Sequence, residues 1–294
     1  MIVTGAVVAA QQPTTFRTGV DLVNFGVTVT DKKGSLVGDL IAEDFEVTED
    51  GKRQTLSYFA AGDTGPPGPE LHLGLLLDVS DSMGEDIGFT RTAAIKFLNT
   101  LTDAVDITVV DFDTQVRVGR YAQSEFARLV ERIRQQKTDG NTALYDAIGV
   151  YLDGAAGQSG RKIMLLYTDG GDTRSALRFS ELLDLLKASD ATVYVIGQLE
   201  HQTQSNRDAQ RLILQQIAEA TGGQAFFPLS VKNLDTVYEK VIAEIRAQYT
   251  LGYLSTNSAF DGTWRKVEVK VVRKESRDSR IRSRKGYYAL YKKP

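Results

Sequence analysis

The feature that most constrains this chain is a nearly unbroken apolar run that ends in oxygen-bearing side chains. Residues 71–77 read Leu-His-Leu-Gly-Leu-Leu-Leu, and residues 78–82 continue as Asp-Val-Ser-Asp-Ser. An apolar run of this length is typical of a strand buried on both faces of a mainly parallel sheet. Ligands of open α/β sheets bind at the carboxyl ends of such strands. Asp78, Ser80 and Ser82 are therefore predicted to lie at a ligand site.

The segment after this run has the spacing of a helix. Its apolar residues fall at Ile87, Ala94, Phe97, Leu98 and Leu101. The oxygens are thus predicted to lie in a strand-to-helix loop above a sheet, where they suit a hard cation such as Mg²⁺. The Asp-x-Ser-x-Ser pattern alone is a weak signal, because Ser and Asp are also the preferred residues at helix N-caps.

Two further segments add oxygen ligands in a compatible order. Residues 139–148 contain a Gly turn that delivers Thr142 to the start of a predicted helix. Residues 163–171 form a second apolar run, which ends in Asp169-Gly170. The order and spacing of the three segments fit one α/β sheet.

Taken together, these residues resemble the metal-ion-dependent adhesion site (MIDAS) of the von Willebrand factor type A (VWFA) domain. The positions Asp78, Ser80, Ser82, Thr142 and Asp169 all match the motif without substitution. The resemblance covers about residues 71–247. The flanking segments 43–52 and 248–253 are similar to those of bacterial VWFA-related proteins.

The resemblance implies a ligand set and a kind of partner. Ser80, Ser82 and Thr142 would supply hydroxyls to Mg²⁺, with Mn²⁺ or Ca²⁺ as alternatives, and Asp78 and Asp169 would hold its waters. Neutral hydroxyl ligands leave the charge of the ion poorly neutralised, so a protein partner that presents an Asp or Glu carboxylate is expected to complete the shell. The predicted rim of the site consists of Asp81, Met83, Asn141, Gly170 and Asp172.

Catalysis is not expected, because a metal-dependent hydrolase needs a well-placed general base. His72 begins the first apolar strand, at the end opposite the site, and His201 lies in a polar segment. The chain has no G-x-x-x-x-G-K-[ST] phosphate loop. The sequence thus predicts a non-enzymatic binding or adhesion module. An accessory subunit of a larger metal- or ATP-dependent enzyme complex is the alternative. The acids near the site in sequence, which are predicted to be solvated, are Asp81, Glu85, Asp86, Asp146 and Asp172.

The composition of the chain excludes several kinds of site and bears on its possible partners. The chain has no cysteine, which excludes disulfides, thiol catalysis and Cys-zinc sites. Its net charge is −3, and no specific nucleic-acid partner is expected. Residues 264–294, however, carry 12 Lys or Arg against 3 Asp or Glu. These bases either protect exposed strands from aggregation or form a patch for anionic polymers.

The first residues and the absence of a long apolar segment bear on localisation. Residues 1–12 hold a short apolar stretch with small residues before a polar break, as at the end of a secretory signal peptide, although a basic start is missing. No segment reaches the roughly 18 apolar residues of a membrane-spanning helix. We expect a secreted, periplasmic or cell-surface protein.

The periodicity along the chain predicts its organisation. A signal-like or disordered start (1–16) precedes the N-terminal half of a β-sandwich (17–60), where apolar residues alternate. A Gly- and Pro-rich linker (61–70) leads to the VWFA domain (71–247), and the C-terminal half of the sandwich follows (248–294). The fold class is therefore α/β. A doubly wound, mainly parallel six-stranded sheet, Rossmann-like, is inserted into a small β-sandwich formed by the two chain ends.

Finer predictions concern individual elements. The six strands of the sheet are expected near 71–78, 105–112, 115–120, 161–168, 191–197 and 224–227. In the sandwich, 45–48 and 54–59 are predicted to form one hairpin on an Asp-Gly turn, and a single strand is predicted near 281–290. The last helix, 232–247, leads directly into the sandwich. This suggests the further hypothesis that site occupancy is coupled to the angle between the two domains.

Overall fold

The computed structural model describes residues 22–62, 69–84, 87–100, 103–200, 202–229 and 233–291. The predicted start (1–16) and most of the predicted linker lie outside these ranges. The strands are β1 Leu22–Thr30, β2 Phe45–Glu49, β3 Lys52–Gln54, β4 Leu56–Ala61, β5 Leu71–Asp78, β6 Ala104–Phe112, β7 Val116–Ala122, β8 Arg161–Thr168, β9 Thr192–Gly197, β10 Gln224–Phe226, β11 Tyr249–Leu254, β12 Trp264–Val271, β13 Arg280–Arg282 and β14 Gly286–Tyr288. The helices are α1 Ile87–Thr100, α2 Phe126–Gln135, α3 Leu144–Ala155, α4 Phe179–Ala188, α5 Gln204–Ala220 and α6 Leu234–Ala247.

The central layer is a six-stranded sheet in the order β10-β9-β8-β5-β6-β7. All neighbours are parallel except β7, which pairs antiparallel with β6. Every residue of β5 and β9 is buried, as a strand covered on both faces requires. The α/β fold class predicted from the apolar runs is confirmed.

Helices cover both faces of this sheet. Alternate residues of a strand point to opposite faces, so each buried strand contributes to two cores. Leu75 and Leu77 belong to the core that includes Phe97 of α1 and Tyr238 of α6. Leu76 belongs to the other core, which includes Ile148 of α3 and residues of α4 and α5. Because β5 and β8 are parallel neighbours, their carboxyl ends open at the same edge of this doubly covered layer.

The two chain ends form a β-sandwich, as predicted. One sheet has the order β13-β1-β11-β4 and the other has the order β14-β12-β2-β3. Each sheet combines strands from before and after the α/β domain, so neither end of the chain could form it alone. Their facing sides bury a core that includes Phe25, Val27, Tyr249, Leu251 and Val267.

Two strand predictions within the sandwich were wrong for the same reason. The segment 54–59 is divided at Thr55, with β3 paired to β2 in one sheet and β4 paired to β11 in the other. The segment 281–290 is likewise divided into β13, which pairs with β1, and β14, which pairs with β12. A strand that changes sheets keeps its period of two, so alternation alone does not reveal the crossing.

The sandwich packs against the α/β domain through buried polar groups. The Arg284 guanidinium donates to Ser189 O at 3.2 Å and to Asn24 O at 2.7 Å. Arg282 pairs with Glu244 of α6 at 2.5 Å.

None of the helices in the described ranges has the length and apolar content needed to cross a bilayer.

Candidate functional site

Asp78 ends β5 as a completely buried carboxylate. Its Oδ1 accepts hydrogen bonds from the Ser80 amide at 3.0 Å and from the Ser80 hydroxyl at 2.6 Å. Its Oδ2 accepts a 2.6 Å hydrogen bond from the Thr168 hydroxyl, at the end of β8. Both carboxylate oxygens are therefore held in place, one by Ser80 in the loop after β5 and the other by Thr168, the last residue of the neighbouring strand β8.

Ser82 lies at the surface, next to Ser80. The two hydroxyl oxygens are 3.1 Å apart, and residues 81–83 form a single 3-10 turn. Ser80 is buried whereas Ser82 is exposed, so the pair leads from the interior to solvent. The same turn directs Met83 inward, where it is 0% exposed. Met83 therefore does not lie on the rim, contrary to the prediction.

Thr142 follows a turn that is tied to the Ser80 loop. Gly140 has a φ of +69°, a conformation that favours glycine. Its carbonyl accepts a 3.1 Å hydrogen bond from the Asp81 amide, and the Asp139 amide donates to Val79 O at 2.9 Å. Asn141, between Gly140 and Thr142, is exposed at the position predicted for the rim.

A clasp of hydrogen bonds joins the start of α3 to the loop that follows Asp169. The Thr142 amide donates to Thr173 Oγ1 at 3.0 Å, and Thr142 O accepts from the Thr173 and Arg174 amides. One turn further, the Asp146 amide donates to Ser175 Oγ. The loop thus caps α3 with side chains from about 30 residues downstream, satisfying amides that a helix start leaves without partners.

Asp146 and Asp172, two acids near the candidate site, also take part in these hydrogen bonds between α3 and the loop after Asp169. Asp146 accepts hydrogen bonds from the Ala176 and Leu177 amides at 2.9 and 3.0 Å. Asp172 accepts a 2.6 Å hydrogen bond from Ser175 Oγ. Asp146 and Asp172 therefore hold the loop against α3 and are not simply solvated rim acids.

Asp169 follows β8 directly and is 8% exposed. The next residue, Gly170, is buried and has a φ of +88°, and its amide donates to the Thr168 hydroxyl at 2.9 Å. The Gln202 amide group donates to Asp169 O at 2.6 Å. Gln202 was not predicted as a site residue, since it lies in a polar segment with no recognisable motif.

The electrostatics of the site are those of a buried anion. Burial raises the pKa of Asp78 to about 7, the Ser80 and Thr168 hydrogen bonds oppose this, and the Asp169 charge raises it further. Within the described ranges, neither Asp78 nor Asp169 forms a salt bridge with Lys or Arg. Two close carboxylates without a cationic partner are costly to bury.

The donor set fits a hard divalent cation. All the side-chain donors of Asp78, Ser80, Ser82, Thr142 and Asp169 are oxygens, the ligands preferred by Mg²⁺ and Ca²⁺. No cluster of three or more His, Asp or Glu suited to a metal occurs in the described part of the chain. A metal at this place would thus depend on the hydroxyls as well as on the carboxylates.

Of the two histidines, the structure describes His72, which lies at the end of β5 opposite the candidate metal site. His72 lies at the amino end of β5, where Nδ1 is 3.1 Å from Asp106 Oδ2 and Nε2 is 2.8 Å from Ser159 O. His201, Glu85 and Asp86 lie outside the described residues. A surface groove of about 1030 Å³ runs along α3 and α4, with Asp146 among its lining residues, but it includes none of the five ligand positions.

The sequence matches the family model of the von Willebrand factor type A domain over residues 72–240, more than half of the chain. The chain therefore belongs to the von Willebrand factor type A domain family. No curated protein matches the sequence.

Solved structures share the fold at low sequence identity. A von Willebrand factor type A protein from Catenulispora acidiphila has a TM-score of 0.52 and 13% identity, covering 95% of this chain and 76% of that one. The D319A mutant of the PilB minor pilin from Streptococcus sanguinis has a TM-score of 0.52 and 12% identity, covering 63% of each chain. The vWF domain of the type V pili tip protein Mfa5 from Porphyromonas gingivalis has a TM-score of 0.50 and 11% identity, covering 61% and 97%.

Proposed function

We propose that this chain is a non-enzymatic, divalent-cation-dependent protein-binding module that acts in adhesion. Mg²⁺, or Mn²⁺ or Ca²⁺ in its place, would be held by Asp78, Ser80, Ser82, Thr142 and Asp169. The observation that supports the proposal is the pair of buried carboxylates, Asp78 and Asp169, beside hydroxyls and with no Lys or Arg partner among the residues that the structure describes. A divalent ion would neutralise this pair.

Each ligand residue has a distinct task in this proposal. Ser80 and Thr168 orient the two oxygens of Asp78. The hydroxyls of Ser80, Ser82 and Thr142 are neutral, so they hold the ion without cancelling its charge. When bound, the ion supplies a positively charged coordination position that a carboxylate can occupy. The partner is therefore a protein that presents an Asp or Glu side chain.

The surface around these oxygens would decide which protein binds. The segments 81–84, 139–141 and 170–175 border the site, and Asp81, Asn141 and Arg174 are exposed on them. The backbone amide of Arg174 donates to Thr142 O at 3.0 Å, so this exposed residue follows the site closely in the fold, and its positive charge favours a partner with acidic residues flanking the coordinating carboxylate.

A location outside the cytoplasm is part of the proposal. Two proteins with this fold are named as a minor pilin and a pili tip protein, and residues 1–12 resemble the end of a signal peptide. Since the chain covers 63% of the minor pilin, the function of that whole protein is not transferred here.

A peptide-binding experiment tests the function. A glutamate-rich peptide immobilised on a sensor should bind the chain in Mg²⁺, and the signal should disappear in EDTA. A matched glutamine-rich peptide should not bind. Thr142→Ala should abolish binding, whereas Thr92→Ala, a control on the exposed side of α1, should not. Equal binding of both peptides, or binding unchanged by EDTA, would refute the proposed mode of recognition.

A further inference from the structure

The basic C-terminal segment contains two kinds of cation. Some arginines have internal partners that hold the sandwich together. The other kind is exposed and has few acidic neighbours, and it includes Lys266, Lys270 and Lys285, which line one groove of about 340 Å³. The internally paired arginines and their partners are Arg265 with Asp261, Arg273 with Asp39 and Asp44, Arg282 with Glu244, and Arg284 with Asn24 and Ser189.

This groove exists because the last part of the chain changes sheets. β13 pairs with β1 in one sheet, and β14 pairs with β12 in the other. β14 covers β12 only over Trp264–Lys266, and the Val267 amide then donates to Lys285 O at 2.9 Å. Beyond Val267 the strand β12 has no hydrogen-bonded neighbour on this side among the described residues.

The pairing with β2 determines which backbone groups face the groove. The Val272 amide donates to Asp44 O, and the Asp50 amide donates to Lys266 O, both at 2.8 Å. Hydrogen-bonding residues alternate along an antiparallel strand, so the even-numbered residues of β12 bond to β2. The N–H and C=O groups of Val269 and Val271 therefore point away from β2, toward the open edge.

The equivalent part of the other sheet is covered. Beside β1, the Arg284 guanidinium bridges Asn24 O and Ser189 O, so the α/β domain packs where a neighbouring strand is missing. Beside β12, the place where a neighbouring strand is missing is occupied by the groove. Val267, Val269 and Ile281 are apolar residues of its lining. An unpaired strand edge of this kind is a template for another strand.

The charges at the groove select the kind of strand that fits. Glu268 also lines the groove, where it pairs with Lys266 at 2.6 Å and interacts with Lys270 and Lys285. One carboxylate beside three lysines leaves an excess of positive charge. Lysines on an open edge repel basic strands and disfavour apolar ones, which would remove water from their charge, but they attract acidic side chains placed opposite them. The alternation along β12 places Val269 inward and Lys270 outward, so a matching strand alternates in the same way.

We propose that the open edge of β12 binds an extended segment of a partner protein whose side chains alternate between acidic and β-branched residues. The segment adds a strand beside Val269 and Val271. Its β-branched residues enter the groove and its acidic residues meet Lys270 and Lys285. This binding is independent of a metal ion, and it goes beyond the proposed function of the α/β domain.

The test uses a fluorescein-labelled Glu-Val-Glu-Val-Glu-Val peptide and the full chain in EDTA, with fluorescence anisotropy as the readout. The peptide should bind, and a Lys-Val-Lys-Val-Lys-Val peptide should not. The double variant Lys270→Glu, Lys285→Glu should weaken binding about tenfold, since each reversal removes one exposed charge pair and adds a repulsion. Lys52→Glu, on β3 at the opposite edge of the same sheet, should bind like the original chain.

Amide hydrogen exchange locates the added strand. The peptide should slow exchange at Val269 and Val271, and Val269→Pro, which removes one donor, should abolish binding while Val269→Thr retains it. Exchange at these amides that is unaffected by the peptide, or already slow in the free protein, would overturn the proposal. Binding that the double charge reversal does not weaken would overturn it as well. Because no metal is present, failure here leaves the proposed metal-dependent function untouched.

Discussion

The Thr168 hydroxyl donates a 2.6 Å hydrogen bond to Oδ2 of Asp78 and accepts one of 2.9 Å from the Gly170 amide. One buried side chain thus links the carboxylate at the end of β5 to the turn that carries Asp169. Thr168 is 0% exposed, so water does not replace either bond. This threonine joins the two carboxylates of the candidate site.

Thr168→Val should damage the site with little change in volume. The valine leaves Asp78 Oδ2 without its donor, which should lower the free energy of unfolding by about 1–3 kcal/mol. It should also weaken Mg²⁺ binding. Thr168→Ser keeps the hydroxyl and is the matched control. Urea unfolding and calorimetric titration measure the two effects, and equal behaviour of the two variants would contradict this role.

In the absence of metal, the free energy of unfolding should depend on pH because Asp78 titrates differently in the folded and unfolded chain. Its pKa is raised in the folded chain to about 7 from an ordinary value of 3.8, so between these values the folded state holds a proton that the unfolded state has lost. Stability should therefore fall as the pH rises from about 4 to about 7. The raised pKa corresponds to a loss of about 4 kcal/mol in the free energy of unfolding across this pH range.

Asp78→Asn isolates this contribution. In EDTA the variant should gain stability relative to the original chain as the pH rises through this window, because it has no charge to bury. Mg²⁺ should stabilise the original chain at pH 8 and leave the variant unchanged. Urea unfolding at several pH values measures both effects. A difference between the two proteins that does not vary with pH would contradict the assignment.

The clasp between Thr142 and Thr173 should influence metal affinity although Thr173 is not a proposed ligand. Thr173→Val removes the acceptor of the Thr142 amide, which is worth about 1 kcal/mol, or about fivefold in affinity if Thr142 moves. Thr173→Ser should retain the bond. Calorimetric Mg²⁺ titration of both variants is the measurement. A loss of stability with full metal affinity would show that the clasp is structural only.

The pair formed by Arg282 and Glu244 should fix the sandwich against α6. Both side chains are largely buried, so Glu244→Gln should leave an unneutralised guanidinium and cost about 2–3 kcal/mol. A double-mutant cycle with Arg282→Gln should give a coupling of at least about 1 kcal/mol. Additive effects would show that the pair is not coupled. The hypothesis that site occupancy changes the angle between the domains is tested by small-angle scattering with and without Mg²⁺ and ligand, and identical scattering would count against it.

The sequence was informative wherever burial imposed a pattern. The runs 71–77 and 163–168 predicted the strands that carry Asp78 and Asp169, because strands covered on both faces must be apolar throughout. The two half-sandwiches were predicted because neither contains enough strands to bury a core.

Other features depend on contacts that a linear pattern does not contain. Thr168 was missed because it ends an apolar run, and nothing in the run shows that its hydroxyl faces Asp78. Thr173 and Ser175 cap a helix that begins about 30 residues earlier, whereas capping motifs are read from adjacent residues. Met83 was misplaced because the short turn 81–83 follows neither the period of a helix nor that of a strand.

The proposed metal site is tested most directly by calorimetric titration of the purified chain with Mg²⁺ and Mn²⁺, beside Asp78→Ala, Thr142→Ala and the control Thr92→Ala. The original chain and the control should show saturable binding at one site, and the other two variants should have lost it. Binding of equal strength in all four proteins would contradict it. The absence of saturable binding by the original chain, even with the glutamate-rich peptide present, would also contradict it.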